Sequence, residues 1–147
     1  MDVFTFLQIF FSSILATLAM KIFSYFMPEN FQKLYRQPFL VTYLLQKLNF
    51  RISAFGKIIL GWLLHFIIGF AFVFVYHTIW YNSILILRWE SGILLGAICG
   101  IIGIASWICI FKFINYQAKF DFNRYYLQLF AAHITFGIVA FATYSYL

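Results

Sequence analysis

The stretch IILGWLLHFIIGFAFVFVYHTIW, residues 58–80, contains no Lys, Arg, Asp or Glu. A helix that crosses a bilayer needs about 20 consecutive, mostly apolar residues. Because lipid cannot satisfy open backbone groups, a segment of this kind has to be helical. The stretch therefore predicts a membrane-spanning helix.

The rest of the chain repeats this pattern. Of its 147 residues, 65% are hydrophobic and 10% are charged, against about 25% charged residues in soluble domains. Long apolar segments also occur at about residues 3–26, 91–111 and 127–146. We therefore predict an all-α, polytopic membrane protein in which residues 1–147 form one four-helix transmembrane bundle.

Basic residues predict the orientation of the bundle. Of the ten Lys and Arg residues, Arg88 alone lies between the second and third spans. The other nine lie at or between the first two spans and between the last two: Lys21, Lys33, Arg36, Lys47, Arg51, Lys57, Lys112, Lys119 and Arg124. Cytoplasmic loops are enriched in Lys and Arg. We therefore expect a multi-pass protein of a bacterial inner membrane, with both termini and the 81–90 turn outside.

The net charge of +6 predicts no nucleic-acid partner, because anionic lipid head groups account for it. The segment FLVTYLLQKLNF, residues 39–50, has one apolar face and basic flanks. This pattern is typical of a short amphipathic helix lying on the inner leaflet. A docking surface for a partner protein is the alternative, while the lipid bilayer itself is the partner that the whole composition predicts.

A stripe of glycines runs along the third span. Gly92, Gly96 and Gly100 recur every four residues, and Gly103 follows three residues later. Small residues on one face allow a neighbouring membrane helix to approach closely. The stripe therefore favours helix packing, within the chain or with a second copy or another membrane protein. A channel-lining face is the alternative.

The second and fourth spans share a pattern. HFIIGFAFVFVY, residues 65–76, and HITFGIVAFATY, residues 133–144, each have His, then Gly four residues on, then Tyr eleven residues on. At about 100° per residue, these positions share one helix face. The pattern indicates a duplicated helix pair, forming two parallel repeats. It also predicts an intramembrane polar site of His65, Gly69, Tyr76, His133, Gly137 and Tyr144.

Three functions remain open for these polar residues. Ionisable groups within membrane helices normally face the protein interior. The histidines and tyrosines would then make interhelical hydrogen bonds, line a small-molecule or proton path, or hold haem b between His65 and His133. No spacing typical of a catalytic or metal site occurs. We therefore expect a non-enzymatic structural or accessory membrane component without a cofactor, with transport and haem binding as the alternatives.

The stretches GWLLHFIIGFAFVFVYH, residues 61–77, and LQLFAAHITFG, residues 127–137, flank the glycine-striped helix. In this arrangement the chain resembles small uncharacterised bacterial inner-membrane proteins of the YagU-like kind, which also pair His-x-x-x-Gly helices within four spans. The resemblance covers most of the chain. It implies a four-helix inner-membrane protein and no catalytic residue.

Overall fold

The structure, a computed structural model, describes residues 2–26, 53–113 and 122–147. These residues form α1 (Val3–Tyr25), α2 (Ala54–Tyr81), α3 (Trp89–Phe113) and α4 (Phe122–Tyr146). All four helices are long and apolar enough to cross a membrane. The predicted all-α four-helix bundle is therefore confirmed. The predicted amphipathic segment at residues 39–50 lies outside the described residues.

The second and fourth helices begin earlier than the sequence predicts. Their expected starts were residues 58 and 127, whereas α2 begins at Ala54 and α4 at Phe122. In α2, the Ser53 hydroxyl accepts a hydrogen bond from the Gly56 backbone N–H at 3.1 Å. This N-cap satisfies a donor that the first turn of a helix leaves open. An apolar pattern detects the lipid-crossing part of a helix but not its polar first turn.

Both chain termini lie at the same end of the bundle as the turn at residues 82–88. The Gln8 side-chain amide donates a hydrogen bond to the Tyr144 carbonyl at 2.6 Å, which joins the start of α1 to the end of α4. The Trp89 and Phe141 rings lie 4.6 Å apart. Successive helices are therefore antiparallel. We call this end the terminal end and the opposite one the connection end.

The glycines of α3 bring its backbone against that of α4. A Cβ atom placed on Gly96 would lie 2.6 Å from the carbonyl oxygen of His133, and one placed on Gly137 would meet the carbonyl oxygen of Gly92. In lipid, the hydrophobic effect does not drive helices together, so membrane helices associate through close backbone packing of this kind. The stripe is covered by α4 of the same chain, so it offers no face to a second copy.

Helix α1 packs on the other side of α4, and it also uses small side chains. Ser12, Ser13 and Ala16 are buried, and the Ser13 hydroxyl donates to the Phe10 carbonyl of its own helix at 2.8 Å. Back-bonding of this kind satisfies a serine hydroxyl inside a membrane helix. The result is a compact row of three helices, α3–α4–α1.

Helix α2 packs on α1 but is separated from α3 by long side chains. The Tyr76 hydroxyl donates to the Cys99 sulfur at 3.1 Å, and the Trp80 indole N–H donates to the Ser91 hydroxyl at 3.0 Å. These side chains fill the space between α2 and α3 near the terminal end. Toward the connection end, the same space remains partly open.

The packing bears on the predicted duplication in two ways. Gly69 of α2 faces Thr17 of α1, and Gly137 of α4 faces Gly92 of α3, as a repeated helix pair requires. However, two equivalent repeats would make the α1–α4 contact resemble the α2–α3 contact. Instead, α1 and α4 are closely packed, whereas α2 and α3 are joined mainly through long side chains. The duplication therefore stays a prediction.

The contact between α3 and α4 predicts that Gly96→Val destabilises the protein. Two added methyl groups and a Cβ atom would meet the backbone of α4, and overpacking of this kind costs about 1–3 kcal/mol. The free energy of unfolding of the purified protein, measured in detergent, should fall accordingly. Ala105→Val, on an exposed face of the same helix, is the control and should leave it unchanged. Equal losses in both variants would contradict the assigned contact.

Candidate functional site

A cavity of about 300 Å³ lies among all four helices in the half of the bundle near the connection end. It opens between α2 and α3, where the two helices stand apart. Most of its lining is apolar. Its polar and aromatic side chains are Thr17 and Lys21 of α1, Trp62, His65 and Phe72 of α2, Ser106 and Trp107 of α3, and His133 and Phe136 of α4.

Two buried polar atoms in this cavity lack a hydrogen-bond partner within the described part of the chain. They are the Thr17 hydroxyl oxygen and His65 Nε2. Thr17 is only 1% exposed. Buried side-chain polar atoms are nearly always hydrogen-bonded in folded proteins, and each exception needs an explanation. An unmade hydrogen bond costs about 1–3 kcal/mol, but the buried Ser12 hydroxyl, which does not line the cavity, is in the same state, so these atoms do not by themselves mark a ligand site.

The antiparallel pairing of α1 and α2 brings Lys21 to His65. Gly69 lies directly against Thr17, since a Cβ atom on Gly69 would meet the Thr17 hydroxyl. Lys21 follows Thr17 by four residues and His65 precedes Gly69 by four residues, so each lies one turn nearer the connection end. Both side chains line the cavity.

Aromatic rings hold the Lys21 ammonium near the connection end. Its nitrogen lies 5.2 Å from the centroid of the Trp62 ring and 5.8 Å from that of Tyr25. Rings at this distance attract a cation through their negative faces. In the sequence, Lys21 indicates only the orientation of the bundle, and its place in the cavity was not predicted. The spacing of four between Thr17 and Lys21 was the signal that could have shown it.

His133 forms the wall of the cavity opposite α1. It is 8% exposed, and its Nδ1 lies 2.7 Å from the Leu129 carbonyl oxygen of the preceding turn. In the tautomer that donates this bond, Nε2 is an acceptor. A Cβ atom on Gly103 would lie 3.1 Å from Cε1 and 3.2 Å from Nε2 of His133. The glycine therefore provides the room in which the imidazole sits.

The two tyrosines of the repeated pattern lie away from the cavity. The Tyr76 hydroxyl bonds Cys99, and the Tyr144 hydroxyl lies 2.6 Å from His77 Nδ1. His77 is half-buried in this contact.

The structure therefore separates the six residues of the predicted polar site. His65, Gly69 and His133 line the cavity, whereas Tyr76, Gly137 and Tyr144 do not. The Phe136 ring stands between the two groups, 6.3 Å from the Phe72 ring and 6.2 Å from the Tyr76 ring. Among the described residues, no continuous polar line connects the histidines to the terminal end.

Haem b binding in this cavity stays a prediction, and the packing around His133 does not favour it. Both histidines line it, as a bis-histidine site requires, but the backbone of Gly103 lies beside His133 Nε2. An iron atom and its macrocycle would need that space. The volume of about 300 Å³ also lies at the lower limit of ligand pockets, which span about 300–1,000 Å³. Among the residues described, no group of three His, Cys, Asp or Glu could hold a metal ion.

Comparison of the chain with protein-family models, with curated proteins and with solved structures finds no match. The resemblance to YagU-like proteins therefore stays a prediction. Function has to be argued from the cavity and the helices around it.

The contact between Tyr144 and His77 predicts a stability loss on removal of one hydroxyl. Tyr144→Phe should lower the free energy of unfolding in detergent by about 1 kcal/mol, because it breaks a partly buried hydrogen bond between two helices. Tyr146→Phe removes a hydroxyl from a side chain that is 85% exposed and serves as the control. If the two variants unfold alike, the contact contributes nothing to stability.

Proposed function

We propose that this protein is a non-enzymatic accessory component of the membrane that holds an amphiphilic molecule in its intramembrane cavity. The observation that carries the proposal is the cavity of about 300 Å³ among the four helices, whose mostly apolar lining includes Lys21, His65 and His133. Apolar surroundings favour a hydrocarbon chain, and these few polar side chains favour a ligand with a polar head. Binding pockets commonly combine an apolar lining with a few placed polar groups.

The opening between α2 and α3 supports a ligand that arrives from the bilayer. Its border includes Leu64, Ile68 and Ile102, whose side chains are 39%, 50% and 49% exposed. In a membrane-spanning bundle, side chains on this face meet lipid tails. A water-soluble ligand would have to cross that apolar border, whereas an amphiphile already lies beside it.

The composition of the cavity supports binding over catalysis. None of its described lining residues is Asp or Glu, so within the described part of the chain no carboxylate beside the histidines forms an acid–base pair with them. Lys21 supplies an ammonium group, and the histidines supply neutral imidazole rings that can donate or accept hydrogen bonds. Such groups orient and retain a head group without changing it.

Transport along the helix faces is a second candidate, because His65 and His133 do share one cavity. A path across the bilayer would also need polar groups beyond that cavity. The Phe72 and Phe136 rings limit it on the terminal side, and the Tyr76 hydroxyl bonds Cys99. Retention of an amphiphile requires no further path, so it is the function the geometry supports best.

We further propose that the protein resides in a bacterial inner membrane with both termini outside. In a Cys109→Ala background, Ser145→Cys at the terminal end should react with a membrane-impermeant maleimide on intact spheroplasts. Asn123→Cys at the connection end should react only after permeabilisation. Both positions are exposed, and the second lies beside the basic connection that the positive-inside rule places in the cytoplasm. The reverse labelling pattern would mean the opposite orientation.

Filling the cavity should abolish ligand retention. With tritiated octadecanol as the probe, a scintillation proximity assay on the purified protein should give saturable binding that unlabelled octadecanol displaces. Ser106→Phe should lower this binding by about tenfold or more, since losing a few apolar contacts in a pocket costs about 1–3 kcal/mol. Ser106 lines the cavity.

Ala105→Phe is the matched control, because Ala105 is the neighbour of Ser106 on α3, is also exposed and does not line the cavity. It should bind octadecanol as the wild type does. Two results would overturn the proposed function: no saturable binding to the wild type, or equal binding to the wild type and Ser106→Phe.

A further inference from the structure

We propose that the amphiphile held in this cavity is a single-chain phenol or hydroquinone. Its hydroxylated aromatic ring lies among the rings of the cavity wall, and its hydrocarbon chain leaves through the opening between α2 and α3. The inference rests on the proposed function, because it names the chemical class of ligand for the same cavity. Five features of the cavity support it: its charge, its depth, its rings, its hydrogen-bond acceptors and its size.

The charge of the cavity favours a neutral head group. None of its described lining residues is Asp or Glu, which disfavours a cationic ligand. Lys21 already interacts within the protein, and its ammonium lies over the Trp62 and Tyr25 rings, so it does not call for an anion. Burial of an uncompensated charge in apolar surroundings is costly. A neutral head group avoids that cost.

The polar side chains on α3 and α4 lie well inside the bundle. Ser106 precedes the end of α3 at Phe113 by seven residues, which is about 10 Å along the helix axis. His133 follows the start of α4 at Phe122 by eleven residues, which is roughly 16 Å. Ionised groups at such depths in a membrane are expensive. A hydroxylated ring carries no charge and can lie there beside the lipid chains.

Planar side chains from three helices form much of the cavity wall. The Phe72 ring lies 6.5 Å from the His133 ring and 6.3 Å from the Phe136 ring, at interplanar angles of 72° and 73°. These edge-to-face contacts hold the wall on the terminal side. Trp62 and Trp107 line the cavity from α2 and α3. An aromatic head group gains stacked or edge-to-face contacts with such rings, which a saturated head group lacks.

Two polar side chains of the wall offer hydrogen-bond acceptors. Ser106 is exposed, and its hydroxyl donates to the carbonyl of the preceding turn at 2.8 Å, which leaves its oxygen free to accept. The His133 Nδ1–H donates to a carbonyl in the same way, so Nε2 is the acceptor of that ring. By contrast, the Thr17 hydroxyl oxygen and His65 Nε2 have almost no accessible surface. A phenolic hydroxyl can donate to Ser106, whereas a carbonyl or ether oxygen cannot.

The size of the cavity favours one ring with one hydrocarbon chain. Its volume of about 300 Å³ lies at the lower limit for ligand pockets. Phe72 and Phe136 bound it on the terminal side, so the chain continues through the opening beside Ile68 and Ile102. A glycerolipid would bring a second chain and a glycerol backbone into the same space.

The test compares three probes that share a nonyl chain. Para-nonylphenol, para-nonylcyclohexanol and para-nonylanisole compete with tritiated octadecanol for the purified full chain in a neutral detergent, with each concentration expressed as a mole fraction of the detergent. We expect the phenol to displace octadecanol at about one-fifth of the concentration that the cyclohexanol needs, because only the phenol has an aromatic ring to contact the wall. It should show a similar advantage over the anisole, because a methyl ether cannot donate a hydrogen bond.

Ser106→Ala tests the hydrogen bond. Ser106 is exposed and bonds the carbonyl of its own helix, so the variant should keep the wild-type unfolding temperature. The advantage of the phenol over the anisole should fall to about twofold or less. Ser24→Ala is the matched control, because the Ser24 hydroxyl also bonds a carbonyl four residues back and does not line the cavity. An undiminished advantage in Ser106→Ala would overturn the role of Ser106 as the acceptor.

Trp107→Leu tests the contact with the aromatic wall. The advantage of the phenol over the cyclohexanol should shrink in this variant, because one ring of the wall is lost. The comparison is a ratio of two probes on the same variant, so a general loss of affinity cancels. Trp89→Leu at the terminal end is the control, since Trp89 lies outside the cavity lining. Equal ratios in the two variants would overturn the assignment of the ring to this wall.

The outcomes separate this inference from the proposed function. Equal potency of the phenol and the cyclohexanol on the wild type would overturn the aromatic head group. Equal potency of the phenol and the anisole would overturn the donated hydrogen bond. In either case, saturable binding of octadecanol would leave the amphiphile-binding function standing. Absence of saturable octadecanol binding would overturn both.

Discussion

The backbone contact between α3 and α4 is the constraint on which the rest of the bundle depends. Lipid tails are as apolar as leucine, so membrane helices gain nothing from hiding apolar side chains and are held by close packing instead. Gly96 and Gly137 allow that packing, since any side chain at either position would meet backbone atoms of the facing helix. The contact makes α4 the central helix and places His133 against Gly103, which fixes one wall of the cavity.

The cavity follows from the unequal spacing of the helices. Small residues draw α3, α4 and α1 together, whereas Tyr76 and Trp80 reach across a wider gap from α2 to Cys99 and Ser91 on α3. Near the terminal end, these long side chains fill the gap. Near the connection end, α2 presents Gly61 and His65 to the same gap, and these do not fill it. The cavity therefore opens sideways between α2 and α3, only in the half of the bundle near the connection end.

Thr17 and His65 bring polar side chains to the wall of a mostly apolar cavity. Each has a buried polar atom that lacks a partner among the described residues, and such atoms cost stability. Natural sequences keep features of this kind mainly at functional sites. The adjacent Lys21 ammonium, which lies over the Trp62 ring, adds a polar group to the same region. The proposed retention of an amphiphile gives these three residues one role.

By itself, the sequence determined the number of spans, their helical form and their antiparallel order, because bilayer thickness and backbone hydrogen bonding leave few alternatives. It also showed that Gly92, Gly96 and Gly100 share a face. Helical periodicity fixes which residues share a face, but it does not fix which helix that face meets. The tertiary structure alone therefore decided that His65 and His133 share a cavity while Tyr76 and Tyr144 bond elsewhere. It also brought Lys21 opposite His65, because that pairing depends on how closely Gly69 lets α1 approach α2.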